Sequence, residues 1–201
     1  MRKFRFLTVA AICSVLILPA AAGATNTTVD LNVNADDVQA SINFRIDPYQ
    51  TPLIIGAGFL YSDDDEEYWI SNVHAAVKDE VFVPALSLGA GLKVVFGNTD
   101  FGPRDFDTSA LAFQFLGEYD FRKTAANLPL SIGVGFDYAP EVLSFSDTDE
   151  YQFFYAELAF HINDYAALFA GYRDLEIEYK DGGDRDELSD DAAYFGVRFT
   201  F

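Results

Sequence analysis

The sequence predicts an all-β protein: a transmembrane antiparallel up-and-down β-barrel of about ten strands, preceded by a cleaved signal peptide. Three observations carry this. Apolar and polar residues alternate with period two along almost the whole chain, which is the pattern of strands with one greasy and one polar face. No stretch after Ala24 is apolar for the ~20 residues a transmembrane helix needs, so a chain that enters a membrane must do so as a closed barrel. Acidic residues gather between the alternating segments rather than within them.

The chain opens with "MRKFR", a run containing Arg2, Lys3 and Arg5, followed by the apolar stretch Phe6 to Leu18 and the small residues "PAAAGA". This is the order of a secretory signal peptide, cut after Ala22 or Ala24, so residues 1–24 form the signal and 25–201 the barrel. The single cysteine, Cys13, lies inside the signal, so the mature protein has neither disulfide nor thiol chemistry. Removing Arg2, Lys3 and Arg5 from 13 basic residues leaves 10 against 32 acidic ones, and the charge moves from -19 to -22. Such a surface excludes nucleic acid, whose phosphates need lysine and arginine.

The strands follow in order. "TTVDLNV" (27–33) is short. In "VQASINFRI" (38–46), Val38, Ala40, Ile42, Phe44 and Ile46 oppose Gln39, Ser41, Asn43 and Arg45. "PLIIGAGFLYS" (52–62) and "EYWISNVHAAV" (67–77) alternate more weakly. "LSLGAGLKVVF" (86–96) sets Leu88, Leu92 and Val94 against Gly89, Gly91 and Lys93. "DTSALAFQFLGEYDF" (107–121) sets Leu111, Phe113, Phe115 and Tyr119 against Thr108, Gln114, Glu118 and Asp120. "LPLSIGVGFDY" (128–138) sets Leu130, Ile132, Val134 and Phe136 against Ser131, Gly133, Gly135 and Asp137. "YQFFYAELAFHI" (151–162) sets Phe154, Ala156, Leu158 and Phe160 against Tyr155, Glu157 and His161. In "DYAALFAGYRDLEIEY" (164–179), Arg173 falls among Ala167, Phe169, Leu175, Ile177 and Tyr179, which predicts a bulge or register shift there. The last strand, "AAYFGVRFTF" (192–201), sets Phe195, Val197, Phe199 and Phe201 against Tyr194, Arg198 and Thr200.

Alternating the connections from outside to inside puts "NADD", "DDDEE", "GNTDFGPR", "APEVLSFSDTD" and "KDGGDRDELSDD" on one side as long acidic loops. The short turns "DPYQT", "KDE", "RKTAA" and "IND" fall on the other, as an outer-membrane barrel requires.

The polar side of the strands is rich in glycine and serine and poor in charge, a thin coat for a surface in water. The apolar side carries more leucine and phenylalanine than a narrow lumen holds. The apolar side therefore faces lipid, and Tyr61, Tyr68, Trp69, Tyr119, Phe121, Tyr138, Tyr165 and Tyr179 near strand ends are expected in aromatic girdles. Arg45, Lys93, Glu118, Glu157 and Arg198 are the charged residues expected in the lumen, either paired into a plug or lining a narrow solute path. Phe195, Val197, Phe199 and Phe201 have the form of a terminal signal read by barrel-assembly machinery. A soluble periplasmic barrel holding an apolar ligand is the alternative if the apolar side faces inward.

Four blocks carry a family resemblance: "YSDDD" (61–65), "YAPEVLS" (138–144), "GYRDLEIEYKDG" (171–182) and "AAYFGVRFTF" (192–201). In that order they resemble the YfaZ family of small Gram-negative outer-membrane proteins. The resemblance implies an outer-membrane barrel and no reaction.

Candidate chemistry is sparse. His74 and His161 have no cysteine partner and no metal-ligand spacing, so no metal site and no cofactor is expected. Ser71 or Ser87 beside His74 is the only nucleophile pairing the sequence suggests for a membrane-embedded hydrolase or acyltransferase. "DDDEE" and "DGGDRDELSDD" depart from the EF-hand order and read as solvated tips, with divalent-bridged contact to lipopolysaccharide as a weaker role. Gly89-x-Gly91 lacks the third glycine and the helix of a nucleotide site. The expected function is a non-enzymatic barrel, structural or a narrow small-solute channel, in contact with outer-membrane lipid and lipopolysaccharide.

Overall fold

The computed structural model describes residues 26–47, 52–63, 66–101, 104–181 and 184–201. The expected signal segment, residues 1–24, and most of the turn "DPYQT" lie outside them. Eleven strands occur in the order β1 (Asn26–Val33), β2 (Asp37–Ile46), β3 (Leu53–Asp63), β4 (Glu67–Glu80), β5 (Leu86–Asp100), β6 (Asp105–Asp120), β7 (Leu130–Ala139), β8 (Ser144–Ser146), β9 (Thr148–Asn163), β10 (Ala166–Asp181) and β11 (Asp184–Thr200). Every pairing is antiparallel. Neighbours in sequence pair from β1 to β7 and from β9 to β11, β7 reaches past β8 to β9, and β1 closes on β11, which gives a barrel of 10 strands. Thr27 and Phe201 exchange two backbone bonds of 2.9 and 2.8 Å, so both termini sit at the same end. An even strand count requires this, and in barrels of this class that end is periplasmic.

β8 is not an eleventh stave. It pairs with Thr108–Ala110 of β6, directly above the place where β7 pairs from Phe113 downward. β7 and β8 are one long strand interrupted by a 3-10 turn at Glu141–Leu143. Most of the expected long loop "APEVLSFSDTD" is thus folded into the wall. The same holds for "KDGGDRDELSDD". β10 and β11 pair continuously from Ala166↔Phe199 to Asp181↔Asp184, so the acidic run is strand. The segment "KDE" is also strand, and the turn it was expected to make is formed by Val81–Ala85, with Phe82 and Ala85 at positive φ.

These strands are taller than a membrane needs. β11 has 17 residues, whereas a spanning strand uses about 9–11. The burial pattern shows where the surplus goes. In the lower part of the barrel the apolar side faces out: Leu92 and Phe115 are half exposed, while their neighbours Lys93 and Gln114 are buried. Above that band the pattern inverts. On β10, Leu168 and Tyr172 face outward, followed by Asp174, Glu176 and Glu178 on the same side, while Arg173, Leu175, Ile177 and Tyr179 face the axis with almost no exposure. The bulge expected at Arg173 is absent, because the register of β10 with β9 is unbroken from Ala167 to Glu178. Ala167, Phe169, Leu175, Ile177 and Tyr179, the side of β10 expected to face lipid, face inward instead. A strand leaving hydrocarbon for water must turn its polar residues out and its apolar ones in without any change of register.

The inverted zone forms the main core. Leu60, Tyr68, Ile70, Val95, Phe106, Phe153, Leu175, Ile177, Tyr179 and Leu188 pack across the lumen from seven strands. Phe106 stacks on Tyr179 at 5.0 Å between centroids, and Phe101 meets both rings edge-on. The Tyr179 hydroxyl lies 2.7 Å from Thr99 Oγ1 and 2.8 Å from Thr108 Oγ1, so its polar tip is satisfied in this dry setting. Tyr68 and Tyr179, expected in a girdle, are therefore core residues. Tyr61 and Trp69 pair on the outer surface where the apolar band ends.

Candidate functional site

The lumen divides into three levels. At the outer level, below and beside the aromatic core, Arg173 is enclosed by charges from β2 and from its neighbour β11. Its Nη2 bonds Asp37 and lies 3.2 Å from Asp190 Oδ2, and Asp190 also accepts the hydroxyl of Tyr68. Asp37 is held in turn by the Asn34 amide. Arg173, Asp37 and Tyr68 are buried, and Asp190 is half-buried.

The middle level is a polar chamber of about 270 Å³. Lys93 from β5 bonds Asp137 of β7 and stands 5.4 Å from the centroid of the Phe153 ring. Arg198 from β11 donates Nε to Asp30 Oδ1 at 2.8 Å and Nη2 to Asp30 Oδ2 at 3.0 Å. The same Nη2 lies 2.8 Å from Glu157 Oε1, and the guanidinium covers the Phe169 ring at 5.1 Å. His74 Nε2 lies 3.0 Å from Asn43 Oδ1.

The lowest level is a vestibule of about 600 Å³ at the terminal end, which shares Thr28, Asn43, Lys78, Glu118 and Arg198 with the chamber above. Lys78 bonds Glu118 across the lumen. Arg45 stands half exposed at the rim with Nε 3.0 Å from Asp47 Oδ1. Asp120 takes Nε and Nη2 of Arg122 at 2.9 and 2.8 Å. This carboxylate raises the pKa of Arg122, in the turn below the membrane, above its ordinary value.

All five charged residues singled out for the lumen thus line its cavities: Lys93 and Glu157 at the chamber, Arg45 at the vestibule, Glu118 and Arg198 at both. The structure brings Glu157 and Arg198 together and adds partners that alternation alone did not single out: Asp47 for Arg45, Asp137 for Lys93, Lys78 for Glu118, Asp30 for Arg198, and Asp37 and Asp190 for Arg173. Asp30 lay in a strand too short to read, Asp37 and Asp190 in stretches read as loops, and Lys78 in a stretch read as a turn. Asp137 stood on the polar side with nothing to distinguish it. Phe195, Val197, Phe199 and Phe201 face outward on the closing strand.

His74 does not pair with Ser71 or Ser87. The contact that forms is His161 Nε2 with Ser131 Oγ at 2.9 Å. Asp120, opposite Ser131 in the ladder, gives both carboxylate oxygens to Arg122 instead of orienting the imidazole. Among the described residues no group of His, Cys, Asp or Glu is placed to hold a metal ion.

Comparison with known proteins supplies the kinship of this closed barrel, with its lipid-facing belt and charged, partitioned lumen. The YfaZ precursor family model matches residues 1–201. The chain belongs to the YfaZ family. With its lipid-facing belt it is a β-barrel of the Gram-negative outer membrane. No curated relative matches it. Solved structures similar to this YfaZ-family barrel include a chain from work on the in-meso crystallization of membrane proteins, 11% identical with a TM-score of 0.44 over 88% of this chain and 82% of that one. Neisserial surface protein A (NspA) is 13% identical with a TM-score of 0.38 over 88% and 94%. The outer-membrane expressed OmpT of Vibrio cholerae is 12% identical with a TM-score of 0.38 over 87% and 64%.

Proposed function

We propose that the protein is a non-enzymatic outer-membrane barrel whose lumen is closed through its outer half and accessible from the periplasm, rather than a solute channel. The observation that carries this is the filling of the outer lumen: ten apolar side chains of the core, and buried Arg173 with its partners Asp37 and Asp190, cross it from wall to wall. A solute path there requires breaking charge pairs already out of water, which costs several kcal/mol. Single-channel recording in planar bilayers is the test. The expected trace is flat at all voltages, and reproducible conductance steps from the folded protein would refute closure.

The remaining roles follow from the surface. Residues 1–24 act as signal, so the mass of the mature protein should correspond to cleavage after Ala22 or Ala24. Phe195, Val197, Phe199 and Phe201 serve as the assembly signal, and the outward acidic collar of Asp174, Glu176, Glu178 and Asp191 meets lipopolysaccharide through divalent cations, since like charges otherwise repel. A hydrolase reading is favoured by the Ser131–His161 contact alone. A fluorophosphonate probe that labels wild type but not Ser131→Ala would establish it; Ser131 is 3% exposed, and no labelling is expected.

A further inference from the structure

We propose that the mid-barrel chamber is a binding site for a small organic ammonium compound arriving from the periplasm through the vestibule. The route rests on the reading of a barrel closed at its outer half; the chemistry of the site does not.

The hydrogen bonds of the chamber are out of balance. Asn32 and Gln114 line the chamber and are 7% and 3% exposed, yet Asn32 Oδ1 and Gln114 Oε1 have no donor. Asn32 Nδ2 donates to Gln39 Oε1 at 3.2 Å, which leaves the Asn32 oxygen unused. Behind the chamber wall, Asp137 Oδ1 also has no donor, although Oδ2 takes Lys93. Buried acceptors without donors are costly and mark the place of a missing partner. The unpaired donors, Arg173 Nε and Nη1, lie in the outer cluster; among the residues lining the chamber the deficit runs one way, and the occupant must bring N–H or O–H groups.

Charge narrows the class. The chamber's carboxylates are Asp30, Glu118 and Glu157, with Asp137 behind them, against the cations Lys78, Lys93 and Arg198. The lining itself is balanced, three against three, and Asp137, bound to Lys93, adds one carboxylate just outside it, so an added cation is accommodated more readily than an added anion. An anionic ligand without donors meets acceptors it cannot satisfy. The aromatic lining points the same way. Phe153 and Phe169 already have a lysine and an arginine over their rings, and Tyr155 and Tyr194 offer further faces in the same chamber. At ~30 Å³ per water, the volume of about 270 Å³ suits an amino alcohol or a short diamine and not a peptide.

The test is calorimetric titration of the purified barrel in maltoside detergent at physiological salt. Ethanolamine and 1,4-diaminobutane are the probes, with glycerol and sodium phosphate as comparison ligands. Saturable one-to-one binding of an amine is expected, weakened about tenfold or more by Gln114→Leu and by Glu157→Gln, each checked for folding by heat-modifiable gel mobility. Asn32→Asp, which adds a carboxylate to the wall, is expected to tighten binding. No saturable heat with either amine, equal binding of glycerol, preference for phosphate, or amine binding unchanged by Gln114→Leu would each overturn the proposal. Conductance of the same preparation separates the two ideas. A closed barrel without amine binding removes this proposal alone, and an open pore that binds amines removes only the closure.

Discussion

Arg173 is the residue whose replacement says most about how the outer half of the barrel is held. Its side chain is 1% exposed, and its two carboxylate partners, Asp37 and Asp190, are 4% and 19% exposed. At 3.2 Å and an effective dielectric constant of about 20, the Arg173–Asp190 attraction alone is worth ~5 kcal/mol. Desolvation of the three groups offsets most of that, so the cluster as a whole is close to neutral against an apolar replacement of the same shape. Arg173→Met does not remove the cluster as a whole. It leaves two carboxylates that shared one guanidinium nitrogen facing each other in a dry site. The expected loss is ~3–5 kcal/mol, the cost of breaking a buried pair from one side. Converting Asp37 and Asp190 to asparagine in the same chain should restore stability to within ~1–2 kcal/mol of the parent. Urea unfolding in lipid vesicles, read by gel mobility and by the fluorescence of the single tryptophan, Trp69, measures both steps. A loss below ~1 kcal/mol for Arg173→Met, or no recovery in the triple variant, would refute the argument and mean that water reaches this cluster.

Two further perturbations address the wall itself. Leu92→Arg places a charge on the lipid face and should destabilise by ~2–4 kcal/mol, whereas Glu176→Arg, above the inversion on the outer face of β10, should change stability by less than ~1 kcal/mol; equal effects in vesicle unfolding would place the lipid boundary elsewhere. Gly91→Ala would bring a Cβ to 2.3 Å from the Ala75 carbonyl oxygen and 2.6 Å from Ala76 Cα, backbone that cannot step aside, so a loss of ~1–3 kcal/mol or more is expected. Gly117→Ala meets only the Val134 methyl at 3.0 Å and the Leu88 methyl at 3.7 Å and should cost far less in the same assay.

The wall was largely legible in the sequence, because lipid imposes one rule on every residue of a span. Val38 to Ile46 and Phe195 to Phe201 could be assigned a face by counting alone, and so could Leu92 against Lys93. The partners inside were not legible in the same way. Lys93 meets Asp137, 44 residues on, and Arg173 meets Asp37, 136 residues back. Which inward residue faces which across a lumen depends on strand tilt and closure, and neither leaves a trace in local alternation. Alternation does give the side of the wall, which is why the five charged residues reach the cavities while most of their partners stayed hidden in short strands and presumed loops.

β10 carries the more general lesson. Its apolar residues Phe169, Leu175, Ile177 and Tyr179 share one parity with Arg173, and a single rule for the whole strand sends all of them to lipid. The rule fails because apolar side chains do not seek lipid as such; they leave water. Below Tyr172 the outer medium is hydrocarbon, so Leu168 and Tyr172 face out. Above it the outer medium is water, so Asp174, Glu176 and Glu178 take the outer face and the apolar parity becomes a core. A strand of 16 residues therefore carries two opposite assignments in one unbroken register, and the residue at which the outer face turns from aromatic to carboxylate marks the edge of the membrane. On β11 the same change falls between Ala193 and Asp191, and in the ladder Tyr172 pairs with Ala193 and Asp174 with Asp191. Two strands read independently place the boundary on the same rung, which a chance arrangement of acidic loops would not produce.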